Sequence, residues 1–169
     1  MSADRAVAIL DLLERRGVAA WLDGGWGIDA LLGKQTRMHD DLDVLVRLDQ
    51  LPQLEAALAE LGYATARGVP PESFEAVDSQ GHQVDVHPVS FAPTGEGVYK
   101  MESGDDWTYP ASAFTGAGSI LGRAVTCLTP EVMMVSHTTG YALDAAHKRD
   151  VEALSERFGI PLAQLRTTE

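Results

Sequence analysis

The run Asp23-Gly24-Gly25-Trp26-Gly27-Ile28-Asp29-Ala30-Leu31-Leu32-Gly33-Lys34-Gln35-Thr36-Arg37-Met38-His39-Asp40-Asp41-Leu42-Asp43-Val44-Leu45-Val46 carries the reading of this chain. It opens on a Gly-Gly step, which favours a tight turn. Trp26 to Leu32 reads as a short helix, with Gly33 just past its end, where glycine is favoured. Lys34, Gln35, Thr36 and Arg37 follow as hydrogen-bond donors. Asp41 to Arg47 then alternates strictly. That pattern predicts a strand with Leu42, Val44 and Val46 on one face and Asp41, Asp43 and Leu45 on the other.

Two carboxylates two residues apart on a strand project to the same side. Oxygen ligands so spaced suit Mg²⁺, which takes one or two carboxylates and completes its shell with substrate phosphate oxygens. A plain solvated strand face would show the same pattern. Gln83-Val84-Asp85-Val86-His87 repeats the alternation, with the valines inward and Asp85 and His87 outward. If this strand lies beside the first, three carboxylates converge. Like charges share a face cheaply only when a cation neutralises them. Such a cluster can hold metal ions for phosphoryl or nucleotidyl transfer, and Asp85 is the candidate to take a proton from an attacking hydroxyl. Glycines ahead of a helix start expose N–H groups that suit phosphate, and Arg37 is a bidentate phosphate donor.

Other patterns carry less. The phosphate loop GxxxxGK[ST] is missing. His82, Asp85 and His87 do not share a strand face and so make a poor zinc set. A serine-based triad lacks a Gly-x-Ser-x-Gly elbow. His137 and His147 read as helix-surface or satisfied core residues. Cys127 is the lone cysteine, which rules out an intrachain disulfide, reads as a small buried apolar residue, and fits a reducing, cytoplasmic setting.

The bulk properties narrow the class. At 169 residues with 45% apolar content the chain is one ordinary domain or one domain with an extension. A net charge of -12 with only three lysines argues against a DNA or RNA partner and favours attraction of a cationic small molecule. No stretch approaches the roughly 18 apolar residues of a membrane helix, and the charged, amphipathic N-terminus is not a signal peptide.

Outward from the central run, Ser2 to Arg16 reads as a helix, Ala19 to Leu22 as a strand, and Leu51 to Leu61 as a helix. Strands are expected at Tyr63–Ala66, Phe74–Val77, Gln83–Val89 and Leu121–Leu128. Pro93 to Gly118 reads as a long irregular loop covering the site. Thr129 caps a helix opening at Pro130-Glu131, and a last helix covers Ala145 to Phe158. The sum is an α+β fold with C-terminal helices.

The residues from Gly24 to Gly33, then Gln35-Thr36-Arg37, then His39-x-Asp41-Leu42-Asp43 resemble the small antibiotic nucleotidyltransferases. These are the lincosamide nucleotidyltransferases and the related aminoglycoside 2″-nucleotidyltransferases, of the DNA polymerase β-like superfamily. Val84-Asp85-Val86-His87-Pro88 is similar to the family's third-carboxylate strand, and Leu128 to Ile160 resembles its C-terminal helices. Met38 stands where proline is common and Arg149 where histidine is common; no carboxylate is lost. The resemblance implies a mixed twisted sheet flanked by helices, with residues 1–128 the nucleotidyltransferase domain and 129–169 a C-terminal helical extension. It implies Mg²⁺, ATP or another nucleoside triphosphate, and transfer of a nucleoside monophosphate to a hydroxyl of a small cationic antibiotic. The expected acceptor is a lincosamide, then an aminoglycoside, with acidic Glu102 to Asp106 as part of the pocket wall. Asp41, Asp43 and Asp85 carry over as catalytic and metal-binding residues. Gly24, Gly25, Asp29, Lys34, Gln35, Thr36, Arg37 and His39 carry over as the nucleotide-binding set. A homodimer that completes the acceptor pocket is a further implication. The alternative from another class is a regulatory, antitoxin-like protein of the same fold. That alternative would carry a Gly-Ser step and an Arg-Gly-Glu-like segment, which this chain lacks.

Overall fold

The first helix, α1 (Ala3–Arg15), is placed by its ends and its stripe. The Ser2 hydroxyl accepts from the Arg5 N–H, Asp4 sits in the first turn and Arg15 in the last, as the helix dipole favours. Its buried residues Ala6, Ile9, Leu10, Leu12 and Leu13 share one side and pack in part against α3 (Leu51–Glu60). The computed structural model describes residues 1–101, 104–139 and 145–162.

Among the described residues the strands form one nine-stranded mixed sheet. Its main path runs β3 (Ala64–Gly68), β4 (Phe74–Val77), β5 (Gln83–Phe91), β2 (Asp41–Arg47), β1 (Ala20–Leu22), β9 (Arg123–Cys127) and β8 (Gly116–Ile120). The centre is the parallel pair of β2 and β5, in register from Asp41 opposite Gln83 to Arg47 opposite Val89. Leu42, Val44, Val46, Val84 and Val86 are fully buried, so one face of this pair is core and the other is left for chemistry. Parallel neighbours need a crossover, and the segment holding α3, β3 and β4 supplies it. Cys127 is buried at the end of β9, and burial pushes its thiol up to about 12.

Residues 93–118 are not an irregular loop. They contain β6 (Gly97–Lys100), β7 (Asp106–Tyr109), a 3₁₀ turn at Ala111–Thr115 and the start of β8. β6 pairs antiparallel with the end of β5 and with β7. The glycines that suggest irregularity serve turns: Gly95 and Gly104 have φ of 88° and 89° and donate to Ala92 O and Met101 O. The hairpin is held by aromatic packing. Phe114 lies 5.1 Å from Trp21, 4.7 Å from Phe91 and 5.7 Å from Tyr109 between ring centroids, and Trp21 Nε1 donates to Phe114 O at 2.9 Å.

Helix α2 (Gly24–Leu32) begins two residues earlier than Trp26, so both glycines lie in its first turn. Gly33 ends it in the left-handed region. After β9 come α4 (Pro130–Ser136) and α5 (Ala145–Phe158), both packed on α2. No helix among the described residues is long and apolar enough to cross a membrane.

Candidate active site

The β2–β5 register sets Asp43 directly opposite Asp85, with Asp41 two residues back on the same face. The crowding has an electrostatic cost. Burial first, then the charges of Asp43 and Asp41, push Asp85 up to about 6, even though Gln83 Nε2 donates to its Oδ1 at 2.7 Å. Burial and Asp43 likewise raise Asp41. Both shifts have the sign that a bound cation would reverse. No group of three or more His, Cys, Asp or Glu among the described residues is already gathered as a ligand set. Asp41 and Asp43 fit a site whose remaining ligands come from a substrate, as Mg²⁺ sites on nucleotides do.

The start of α2 closes in on this face. Gly24 has φ of +59°, and a Cβ there would land on the Asp43 carboxylate; a Cβ on Gly25 would land on the His39 ring and the Arg37 guanidinium. Only glycine lets the helix start come this near. Below it, His39 Nε2 and Asp29 Oδ2 meet at 2.5 Å with both side chains 2% exposed. Thr36 Oγ1 donates to the other Asp29 oxygen at 2.5 Å. Asp29 and His39 are buried and Thr36 reaches the surface, and together the three pin the α2–β2 connection.

A cavity of about 650 Å³ opens above, lined by Asp23, Gly24, Gly25, Arg37, Asp41 and Asp43 from this side. Tyr99, Trp107 and Tyr109 line it from the β6–β7 hairpin, and Ser136, His137, Thr139 and His147 from the helical side. A smaller adjoining cavity of about 130 Å³ holds Asp85 with Ser73, Glu75, His87 and Tyr99. His87 bridges the two: its Nε2 stands 3.7 Å from Asp43 Oδ1, and its Nδ1 is 3.2 Å from the Ser73 hydroxyl, which is 2.7 Å from Tyr99 Oη. Burial alone would lower the His87 pKa, but Asp43, Asp23 and Asp85 more than reverse this and raise it.

The sequence-predicted set therefore divides. Gly24, Gly25, Arg37, Asp41 and Asp43 line the main cavity and Asp85 the adjoining one. Asp29, Thr36 and His39 do not line the cavity but brace its floor. Lys34 and Gln35 are exposed and outside it, and Gln35 donates to Arg37 O at 2.8 Å. Arg37 is already engaged: its Nε and Nη2 donate to the Asp150 carboxylate at 3.2 and 2.9 Å, tying the site to α5. Of the acidic hairpin segment, Glu102 lies outside the described residues, and Asp105 and Asp106 do not line the cavity. Asp106 accepts from Lys100 at 3.2 Å instead. His82 is held by Asp78 at 2.9 Å, away from Asp85 and His87.

The sequence reading missed Asp23, His137, His147 and the aromatic wall. His137 is neither at the surface nor satisfied: it is 6% exposed and its Nδ1 has no partner among the described residues. Nothing in the local sequence marks it, because its cavity is formed by segments more than a hundred residues apart. Asp23 was signalled by its place beside Gly24, but it read as the end of a strand.

Comparison with known proteins agrees with this geometry. The profile of the aminoglycoside-2″-adenylyltransferase family matches residues 6–154. A lincosamide resistance protein of Staphylococcus haemolyticus is 29% identical over 146 residues, 86% of this chain and 89% of that protein. A 2″-aminoglycoside nucleotidyltransferase of Escherichia coli is 30% identical over 127 residues, 75% of this chain and 67% of that protein. The lincomycin-bound crystal structure of the lincosamide antibiotic adenylyltransferase LnuA superposes with a TM-score of 0.81 at 27% identity, covering 92% of this chain and 97% of the other. The structure of ANT(2″)-Ia with adenylyl-2″-tobramycin shares the fold, with a TM-score of 0.76 at 24% identity over 93% of this chain and 89% of the other.

Proposed function

The chain belongs to the aminoglycoside-2″-adenylyltransferase family, and from that membership we propose that it transfers a nucleoside monophosphate, AMP from ATP, to a hydroxyl of a lincosamide antibiotic. The observation that carries the chemistry is the register that sets Asp43 opposite Asp85, with Asp41 on the same face, at the edge of a cavity lined by the glycine start of α2. In this reading Asp41 and Asp43 hold Mg²⁺, which supplies charge neutralisation at the phosphates. The N–H groups at the start of α2 receive the phosphates leaving as pyrophosphate. Asp85 accepts the proton of the acceptor hydroxyl as its oxygen bonds the α-phosphorus and the bond to the bridging oxygen breaks. Arg37 lines the same wall, and its grip on Asp150 holds α5 over the nucleotide.

Two observations favour a lincosamide over an aminoglycoside. The lincosamide relative is matched over 89% of its own length, against 67% for the aminoglycoside enzyme. The aromatic and histidine lining suits a compact amphiphilic acceptor. The net charge of -12 attracts the protonated amine of either class. The protein is to be incubated with ATP, Mg²⁺ and, separately, lincomycin, clindamycin and kanamycin, and the drugs weighed by mass spectrometry. The expected product is lincomycin or clindamycin heavier by one AMP. Adducts on kanamycin alone would reassign the acceptor, and no adduct on any drug would end the antibiotic reading.

A further inference from the structure

Folded chains leave few buried polar side-chain atoms without a partner, and each such atom calls for a reason. Among the described residues four are sealed and unpartnered: Asp23 Oδ1, Trp26 Nε1, Tyr63 Oη and His137 Nδ1. Two of the four, on Asp23 and His137, belong to residues lining the main cavity, while Trp26 and Tyr63 do not line it. Asp23 sits at the N-cap position of α2 yet makes no capping bond with its side chain, so it is not kept there for the helix. Its own N–H donates to Asp43 O at 3.1 Å, which sets it beside the carboxylate face. His137 closes α4 as its C-cap residue, 6% exposed, with its ring 5.6 Å from that of His147.

We infer that Asp23 Oδ1 and His137 Nδ1 together form a hydroxyl-binding subsite that holds a sugar ring beside the transfer site. A hydroxyl donates and accepts at once, so it can give its proton to the carboxylate oxygen and still meet an imidazole N–H. An ammonium donates only. Trp107 and Tyr109 in the same lining offer broad apolar faces to the carbons of a ring whose hydroxyls point at the pair. Two sugars enter such a site, the ribose of the nucleotide and the sugar of the acceptor, and both present adjacent hydroxyls. The inference rests on the nucleotidyl-transfer reading but concerns residues that reading does not use.

The test is calorimetric binding by the full chain of ATP, 2′-deoxy-ATP, 3′-deoxy-ATP and lincomycin with Mg²⁺, on wild type, Asp23→Asn and His137→Gln, each with its melting temperature. Loss of a hydrogen bond to a buried charged or polar group predicts affinity weaker by about tenfold or more. If the ribose is held, both variants weaken ATP but not one of the deoxy analogues, whose penalty the wild type already shows. If the acceptor sugar is held, both weaken lincomycin and leave ATP unchanged. In either case Asp23→Asn raises the melting temperature of the ligand-free protein, because a buried carboxylate with an unpartnered oxygen is replaced by a neutral amide. Unchanged binding of every ligand by a stable variant overturns the subsite, and so does a lowered melting temperature for Asp23→Asn, which would make the residue structural. A wild type that binds lincomycin and ATP while the variants do so equally leaves nucleotidyl transfer standing. A wild type that binds neither overturns both.

Discussion

At the scale of single residues, the proposed function rests on position 24 and the carboxylates. Gly24 combines a left-handed φ with a Cβ position already filled by the Asp43 carboxylate. Gly24→Ala is therefore expected to cost about 1–2 kcal/mol in backbone strain and, by displacing Asp43, on the order of 10²-fold in turnover. Denaturant melts and steady-state rates check the two parts. Asp43→Asn keeps the shape of the side chain and lies outside the core, so turnover should vanish while the melting temperature holds; full activity would refute its role at the metal. Asp85 makes the pH prediction. Its pKa of about 6 in the folded chain means that the acceptor's proton has no ready base below that pH, so kcat/KM at limiting Mg²⁺ should rise through pH 6. A cation beside it lowers that pKa, so saturating Mg²⁺ should move the limb to more acid pH. The linkage to stability has the opposite sense. A folded-state pKa raised above the usual value of about 3.9 favours the fold most below that value. The metal-free protein should lose this contribution as pH climbs through about 6, and Asp85→Asn should keep it at pH 7, raising the melting temperature by roughly 1–4 °C. Asp41, Asp43 and Asp85 were legible because strand alternation is a local pattern, whereas the partnerless Nδ1 of His137 exists only once the chain is folded.

At the scale of elements, one ion pair ties α5 to the α2–β2 connection. Asp150 is 4% exposed and Arg37 29% exposed, so the two ends of the pair are unequal. Arg37→Ala strands a buried carboxylate, at a cost of about 3–5 kcal/mol. Asp150→Ala leaves an arginine that reaches solvent, and about 1–2 kcal/mol is expected. Chemical unfolding of both variants measures the asymmetry, and equal losses would mean that Asp150 is not sealed in solution. Both variants should also weaken ATP, with hydrogen exchange rising in α5. The β6–β7 hairpin is the element that sequence reading took for a loop. Its strands are four residues each, and β6 alone pairs with the end of β5 while β7 pairs with β6, so no periodic run was long enough to announce them. Once the hairpin forms, its aromatic residues become the wall of the cavity.

At the scale of the molecule, the net charge of -12 would attract the cationic acceptor of the proposed reaction. Long-range attraction acts on the approach and is screened as the Debye length falls from about 30 Å at 0.01 M to about 8 Å at 0.15 M salt. The kcat/KM for a cationic acceptor should thus fall with ionic strength while kcat stays level; a flat profile would show that the acidic surface does not steer. The chain's local patterns settled the α+β class, the helices at Ala3–Arg15 and Ala145–Phe158, the strand Asp41–Arg47 and the carboxylates on its open face, since periodicity and capping act within a few residues. What awaited the folded chain was set by pairing over distance. The parallel register sets Asp85 against Asp43, and Arg37 is committed to Asp150. Asp23 faces the same cavity as His137. Contacts between residues 42 to 114 positions apart carry no local signature, because burial and the loss of water partners arise only when the separate segments close around the same space.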